Sequence, residues 1–146
     1  AEETKVSDYT LTMVNWGGAL EGDEGVAFDP AALKGHVVIV EEFGVKTEAC
    51  IDRLKDLARL QKKLSKDKAK VVIIAIHRQN DVADADVLRA TKKARVNFTL
   101  RKNGFLPASI GGMPHAAIFL PDGTMFWHGD STERDFDKAL KKAMGE

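Results

Sequence analysis

The segment at residues 37–54, VVIVEEFGVKTEACIDRL, most constrains what this chain can fold into. It joins an apolar run, residues 37–40, through a short turn to a helical stretch that carries the only cysteine, Cys50. Four consecutive apolar residues without alternation are typical of a strand that is covered on both faces. The segment therefore predicts a layered α/β domain whose first buried strand leads to a thiol near the start of a helix.

That thiol has no second sulfur beside it, because Thr47 stands three residues before Cys50. Disulfide exchange needs one thiolate to attack and a neighbouring thiol to resolve the mixed disulfide. A single cysteine also excludes an intramolecular disulfide and a cysteine-rich metal site. We therefore expect this chain to lack dithiol chemistry.

Two glutamates, Glu41 and Glu42, follow the apolar run directly. Strand side chains alternate, so these two point to opposite faces if the strand continues through them. At least one carboxylate then lies near low-dielectric surroundings, which raise its pKa. If the strand has already ended, both glutamates are hydrated, and the sequence leaves these two alternatives open.

Hydrophobic periodicity predicts the other elements. A helix is expected from Thr47, a suitable N-cap, to about residue 65, with Cys50 at the start of its core-facing stripe. The last helix is expected to be capped by Asp130 or Ser131. The remaining predicted elements are strands at 9–14, 71–76 and 96–100, a helix at 81–95, and a hairpin of 116–120 and 124–127 around Pro121-Asp122-Gly123.

Length and charge limit the class of protein. The 146 residues suit one domain, 28–146, with residues 1–27 as an N-terminal extension that packs on it as a strand or hairpin. Basic and acidic residues both number 22, which does not favour nucleic acid or an acidic membrane as a partner. No apolar stretch approaches the roughly 18 residues that span a bilayer. The Ala-Glu-Glu start suits a mature exported protein, so we expect a periplasmic or secreted location.

Several blocks in order resemble thioredoxin-like proteins, particularly the TlpA-like and redoxin (AhpC/TSA-related) branch. LKGHVVIVEEFG and the cysteine-bearing helix resemble that family's LKGKVVLVNFWA and CxxC opening. GGMPHAAIFLPDGTMFWHG resembles its GxPxxxfxxDxxGxxxxxxG block, whose proline is cis and faces the active-site helix. VVIIAIH and VNFTLRKNG match the blocks between them. The resemblance covers residues 28–144 and implies a three-layer sandwich, a mixed central sheet with helices on both faces and a C-terminal hairpin plus helix.

Carried over residue by residue, the resemblance places Cys50 at the second, buried cysteine of CxxC and Thr47 at the first, nucleophilic one. The motif is thus degenerate, reading TEAC. Pro114 matches the cis-proline and follows Met113, while Glu42 falls where thioredoxin keeps a buried acid that handles protons for the second cysteine. The loop before the helix is one residue shorter than in the family and lacks its tryptophan.

Two functions follow from this resemblance. The first is a non-catalytic binding module, without a cofactor, that holds a protein or peptide client at the cis-proline groove formed by Met113, Pro114 and His115. The alternative is a single-cysteine peroxidase or monothiol oxidoreductase that uses Cys50 as nucleophile, Thr47 as hydroxyl donor and Glu42 as proton carrier. TEAC matches the TxxC of the peroxiredoxin motif PxxxTxxC, although Phe43 stands where that motif has proline.

A minor alternative is a metal site. His77 follows the second buried strand and His115 follows Pro114, so both could lie near Cys50. Thiolate and imidazole ligands suit copper or zinc. His36 and His128 are interpreted as surface residues, and the oligomeric state is left open.

Overall fold

The computed structural model describes residues 5–146, and within them one mixed sheet of five strands is covered by helical layers. The elements are β1 (Val37–Phe43), α1 (Glu48–Lys66), β2 (Val71–His77), α2 (Asp84–Lys93), β3 (Thr99–Lys102), β4 (His115–Phe119), β5 (Met125–Gly129) and α3 (Arg134–Ala143). The strand order is β3-β2-β1-β4-β5. The first three strands are parallel, whereas β4 runs antiparallel to β1 and β5 antiparallel to β4.

The two faces of the sheet bury separate apolar clusters. Cys50 of α1, Val87 of α2 and Phe136 of α3 pack with Ile39 in one cluster. We call the side of the sheet that carries this cluster the α-helical face. On the opposite face, Val38 packs in a cluster with residues from outside the three α-helices. Because β1, β2 and β3 follow one another across the sheet, right-handed crossovers place α1 and α2 on the same side. This arrangement places Cys50 between α1 and the sheet, on the α-helical face.

Three short 3-10 helices supply the layer on the opposite face, Val6–Asp8, Leu11–Met13 and Pro30–Leu33. Leu33 is buried in that face's cluster, and Leu11 packs against it. The predicted three layers and closing hairpin plus helix are therefore confirmed. No helix among residues 5–146 is long and apolar enough to cross a membrane.

The strand expected at residues 9–14 is wrong. That segment contains the 3-10 helix Leu11–Met13, and its strand-like pairing is limited to the isolated bridge from Thr10 to Thr124. The next residue, Asn15, forms a bridge to Phe105. Thr124 precedes β5 and Phe105 follows β3, which are the two outer strands. The segment thus runs across the sheet, where a strand's ladder cannot form, and context overrides its β propensity.

The ends of several elements also differ from expectation. The first strand continues through Glu41 and Glu42 to Phe43. The last helix has Glu133 at its N-cap instead of Asp130 or Ser131. Ser131 donates its hydroxyl to the Glu41 carboxylate, and Asp130 accepts from the Thr132 backbone N–H in a local turn. The second α-helix begins at residue 84 and the third strand at residue 99, each three residues later than expected.

Candidate functional site

The start of α1 places Thr47 and Cys50 one helical turn apart. Thr47 is the N-cap residue, with extended φ and ψ of −113° and 137°, and its carbonyl accepts from the Ile51 N–H. Its side chain is exposed and makes no capping hydrogen bond within the described chain. Cys50 is 0% exposed and packs in the cluster that contains Leu54 and Leu57. The helix therefore presents a hydroxyl to solvent and buries its thiol.

Gln79 holds the loop that precedes this helix. Its Oε1 accepts from the backbone N–H groups of Val45 at 2.8 Å and Lys46 at 3.2 Å. A Cβ on Gly44 would lie 2.3 Å from Gln79 Cδ, so the glycine makes this close approach possible. Lys46 also pairs with Asp81. Sequence reasoning missed Gln79, and the polar residues that end the second strand were the available signal.

Glu42 is buried on the face opposite Cys50 and lies in a polar network. His115 Nδ1 is 2.7 Å from its Oε1, the Leu106 N–H donates to Oε2 at 3.3 Å, and the Arg78 guanidinium donates to the same oxygen. Burial raises the pKa of this carboxyl, but the hydrogen bonds from His115, Arg78 and Leu106 outweigh it and lower the pKa. Glu42 is thus a carboxylate fixed by its partners.

His128 extends this network toward the surface. Its Nδ1 lies 3.2 Å from Nε2 of His115, and the two rings meet edge to face with centroids 5.4 Å apart. Burial, and then the charge of His115, lower the pKa of His128. His128, interpreted from the sequence as a surface residue, is half-buried, because the strand register aligns it with Ala117, next to His115 on the same face. Arg78, Glu42, His115 and His128 together form what we call the Glu42 network.

Glu41 is the acid that shares the α-helical face with Cys50. It is 0% exposed, and its Oε2 accepts from the Ser131 hydroxyl at 2.8 Å. Arg53 Nε lies 3.9 Å from Oε1, and the Arg53 guanidinium carbon lies 4.4 Å from the Phe136 ring centroid. Burial raises the pKa of Glu41 to about 8, against the opposing effects of Arg53 and Ser131. Its Oε1 has no hydrogen-bond partner among residues 5–146.

The two glutamates therefore occupy different sites. Alternation along β1 puts Glu41 with Ile39 and Phe43, which belong to the cluster of Cys50, and puts Glu42 with Val38 and the opposite cluster. The structure does not bring Glu42 and Cys50 together. Glu41, which sequence reasoning did not select, is the acid on the side of the sheet that carries Cys50.

The loop at residues 103–114 exposes large apolar side chains. Phe105 is 46% exposed, Ile110 49% and Met113 36%, whereas Pro114 is buried. The Met113–Pro114 peptide bond is cis. Arg78 places its guanidinium carbon 5.8 Å from the Phe105 ring centroid, so a cation borders this surface. We call residues 103–114 the cis-proline loop.

The candidates for a metal site do not converge. Cys50 is buried on the α-helical face of the sheet, whereas His115 binds Glu42 on the opposite face. His77 is buried with its ring centroid 5.3 Å from that of Phe43, and burial lowers its pKa. Within residues 5–146, no three or more His, Cys, Asp or Glu side chains are grouped as a metal ion requires.

The Glu42 network supplies a stability prediction. In Glu42→Gln the side chain keeps its shape but loses the charge that strengthens its bonds to His115 and Arg78. We expect the free energy of unfolding in urea to fall by about 2 kcal/mol at pH 7. The exposed Glu24→Gln serves as the control, and equal stability of the two variants would show that the network contributes nothing.

Solved structures share this architecture. A thiol-disulfide isomerase from Corynebacterium glutamicum superposes with a TM-score of 0.69 at 15% identity, over 89% of this chain and 94% of its own. A thioredoxin-family thiol:disulfide interchange protein from Chlorobium tepidum gives 0.68 at 20% identity, over 99% and 100%. A secreted Mycobacterium tuberculosis disulfide oxidoreductase homologous to Escherichia coli DsbE gives 0.64 at 16%, over 92% and 96%. Neither a protein-family model nor a curated protein matches the sequence. The chain has a thioredoxin-like fold, with Cys50 as its only cysteine.

Proposed function

We propose that this protein is a thioredoxin-like binding module that holds an extended segment of a protein or peptide client at the cis-proline loop and carries out no dithiol chemistry. The observation that carries the proposal is that Cys50 is buried, whereas the exposed residue at the start of α1 is Thr47. The fold is that of thiol-disulfide oxidoreductases, but Thr47 stands at the position of the attacking cysteine, so a hydroxyl replaces the nucleophilic thiol.

The chemical part of the proposal rests on access. A thiolate must reach a disulfide sulfur to exchange with it, and the resulting mixed disulfide must be resolved by a second thiol. Cys50 has no exposed surface, and the sequence provides no other cysteine. The buried thiol and the lack of a second cysteine therefore support the proposal that the chain carries out no disulfide exchange.

The binding part of the proposal rests on the loop beside Pro114. Thioredoxins, which this chain resembles, bind extended peptides along the corresponding groove. Here Met113 is exposed directly before Pro114, and Phe105 and Ile110 are exposed in the same loop. Extended peptides gain affinity from main-chain hydrogen bonds and specificity from side-chain contacts, and exposed apolar residues supply such contacts. The secreted M. tuberculosis neighbour supports an extracytoplasmic location.

The second candidate function is a single-cysteine thiol enzyme. The exposed Thr47 hydroxyl one turn before Cys50 favours it, because this spacing matches TxxC. Glu41 and Arg53 would then be the charged groups on the thiol's own face of the sheet. Its chemistry requires that the start of α1 open to expose the thiol.

Thiol accessibility separates these two functions. We expect Cys50 to react with an aromatic disulfide reagent only as fast as the protein unfolds, because the folded chain buries the sulfur. The variant Ala49→Cys is the positive control, since residue 49 is exposed and its added thiol should react at once. Fast reaction of native Cys50 below neutral pH, with sulfenic acid after peroxide, would establish the thiol enzyme instead.

Client binding is tested with an unfolded protein, reduced and carboxymethylated α-lactalbumin. We expect Met113→Asp to weaken binding about tenfold, or about 1.4 kcal/mol, because it puts a charge where an apolar contact forms. The control is Val26→Asp, which makes the same kind of change at an exposed apolar residue outside the cis-proline loop. Val26 lines a cavity with Leu88 and Val96. Equal loss in both variants would remove the cis-proline loop as the site.

A further inference from the structure

A basic groove lies between the outer side of α1 and the C-terminal end of α2. The cavity has a volume of about 500 Å³. None of the described residues that line it is acidic. Its basic residues are Lys55, Arg59, Lys62, Lys93 and Arg95, and all five are exposed.

The base of the groove is held in a fixed shape. Ala58 and Ala94 line it with small, buried side chains, which leave space between the two basic walls. The side-chain amide of Asn97 donates to the Ala58 carbonyl at 3.1 Å. This bond ties the segment after α2 to the middle of α1, so the two rows of cations keep their separation.

Charge balance does not explain this clustering, because acidic and basic residues are equal at 22 each. Within residues 5–146, Arg59 is the one member of the five that has a carboxylate within 4.0 Å, that of Asp56 at 2.6 Å. Basic residues are favoured in the last turn of a helix, which accounts for Lys93. Lys55 and Arg59 lie in the middle of α1, where the helix dipole gives no such advantage.

The spacing of the cations indicates the size of a ligand. Lys55, Arg59 and Lys62 lie at i, i+4 and i+7, so they follow one side of the helix over about 10 Å. A single phosphate is shorter than this row, whereas a chain of linked phosphates matches its length. The lining has no aromatic side chain among its described residues, so nothing there stacks on a nucleobase.

We propose that the basic groove binds a compact anion that carries several linked phosphate groups, as in a polyphosphate. Lysine and arginine side chains converge there on a ligand that supplies the missing negative charge. The groove shares no residue with the cis-proline loop. This inference therefore stands apart from the proposed client-binding function.

Calorimetric titration of the full chain with sodium tripolyphosphate tests the proposal. We expect one ion per chain to bind at low salt, and more weakly as sodium chloride rises from about 50 to 200 mM, because salt screens exposed charges. The double variant Lys62→Glu/Lys93→Glu should weaken binding at least about tenfold. Lys138→Glu/Lys141→Glu on α3 makes the same change in net charge at other exposed lysines and should leave binding unchanged. Urea unfolding of both variants verifies that they are folded.

Four results would overturn the inference. An absence of heat with tripolyphosphate at low salt would refute binding, and an equal loss of affinity in both double variants would indicate only diffuse attraction. Orthophosphate binding as tightly as tripolyphosphate would refute the requirement for linked phosphates. Tighter binding to phosphatidylglycerol vesicles or to duplex DNA would identify the groove as part of a wider surface for another class of partner.

Discussion

Replacing Thr47 with cysteine is expected to give the protein an insulin-reducing activity that the native chain lacks. Residue 47 is exposed at the N-cap of α1, and Cys50 follows one turn later. Residues three apart on a helix are close enough for a disulfide. A thiol at a helix N-terminus has a depressed pKa, because the N-terminal N–H groups stabilise the thiolate. Thr47→Cys thus restores both an exposed attacking sulfur and a resolving one.

Insulin precipitation in the presence of dithiothreitol measures the gain, and Ala49→Cys is the matched control. That variant also has two thiols and one exposed sulfur, but adjacent cysteines lack the CxxC spacing. We expect turnover above the reagent alone in Thr47→Cys and none in the control. No gain in Thr47→Cys would mean that residue 47 does not occupy the position of the family's nucleophile.

The sequence was sufficient to predict the central sheet because its strands have a strong local signal. The runs at 37–40 and 71–76 are continuously apolar, and the structure buries them between two layers. The segment at 9–14 gave a wrong prediction for the opposite reason. Its conformation depends on bridges to Thr124 and Phe105, which are distant in sequence, so no local pattern records it.

The candidate site was harder to predict because its partners come from different elements. Alternation required that Glu41 and Glu42 face opposite ways, but the handedness of the crossovers decides which face the α-helices cover. Ser131 looked like a helix cap, yet its hydroxyl binds Glu41 ninety positions away in the chain. His128 joined the network through the register of β4 and β5, which the sequence did not specify.

We expect Glu41 to make the protein less stable as pH rises, and Glu41→Gln to remove that dependence. Burial raises the pKa of Glu41 from its ordinary 4.5 to about 8 in the folded state. Between these values the folded chain holds a proton that the unfolded chain has released, so stability falls as pH increases. The contribution is fully present below pH 4.5 and is lost as pH passes through about 8. From pH 5 to 8 the expected loss is about 3 kcal/mol.

Urea unfolding at pH 5 and pH 8 measures this effect as the difference between the native chain and Glu41→Gln. Glutamine resembles the protonated acid in shape and still accepts from Ser131, so the two proteins should be similar in stability at pH 5. At pH 8 the variant should be more stable by about 3 kcal/mol. His77 and His128, whose pKa values are lowered, titrate equally in both proteins and cancel in the difference. A difference that does not change with pH would mean that Glu41 is ionised in the fold, with Arg53 as its compensating charge.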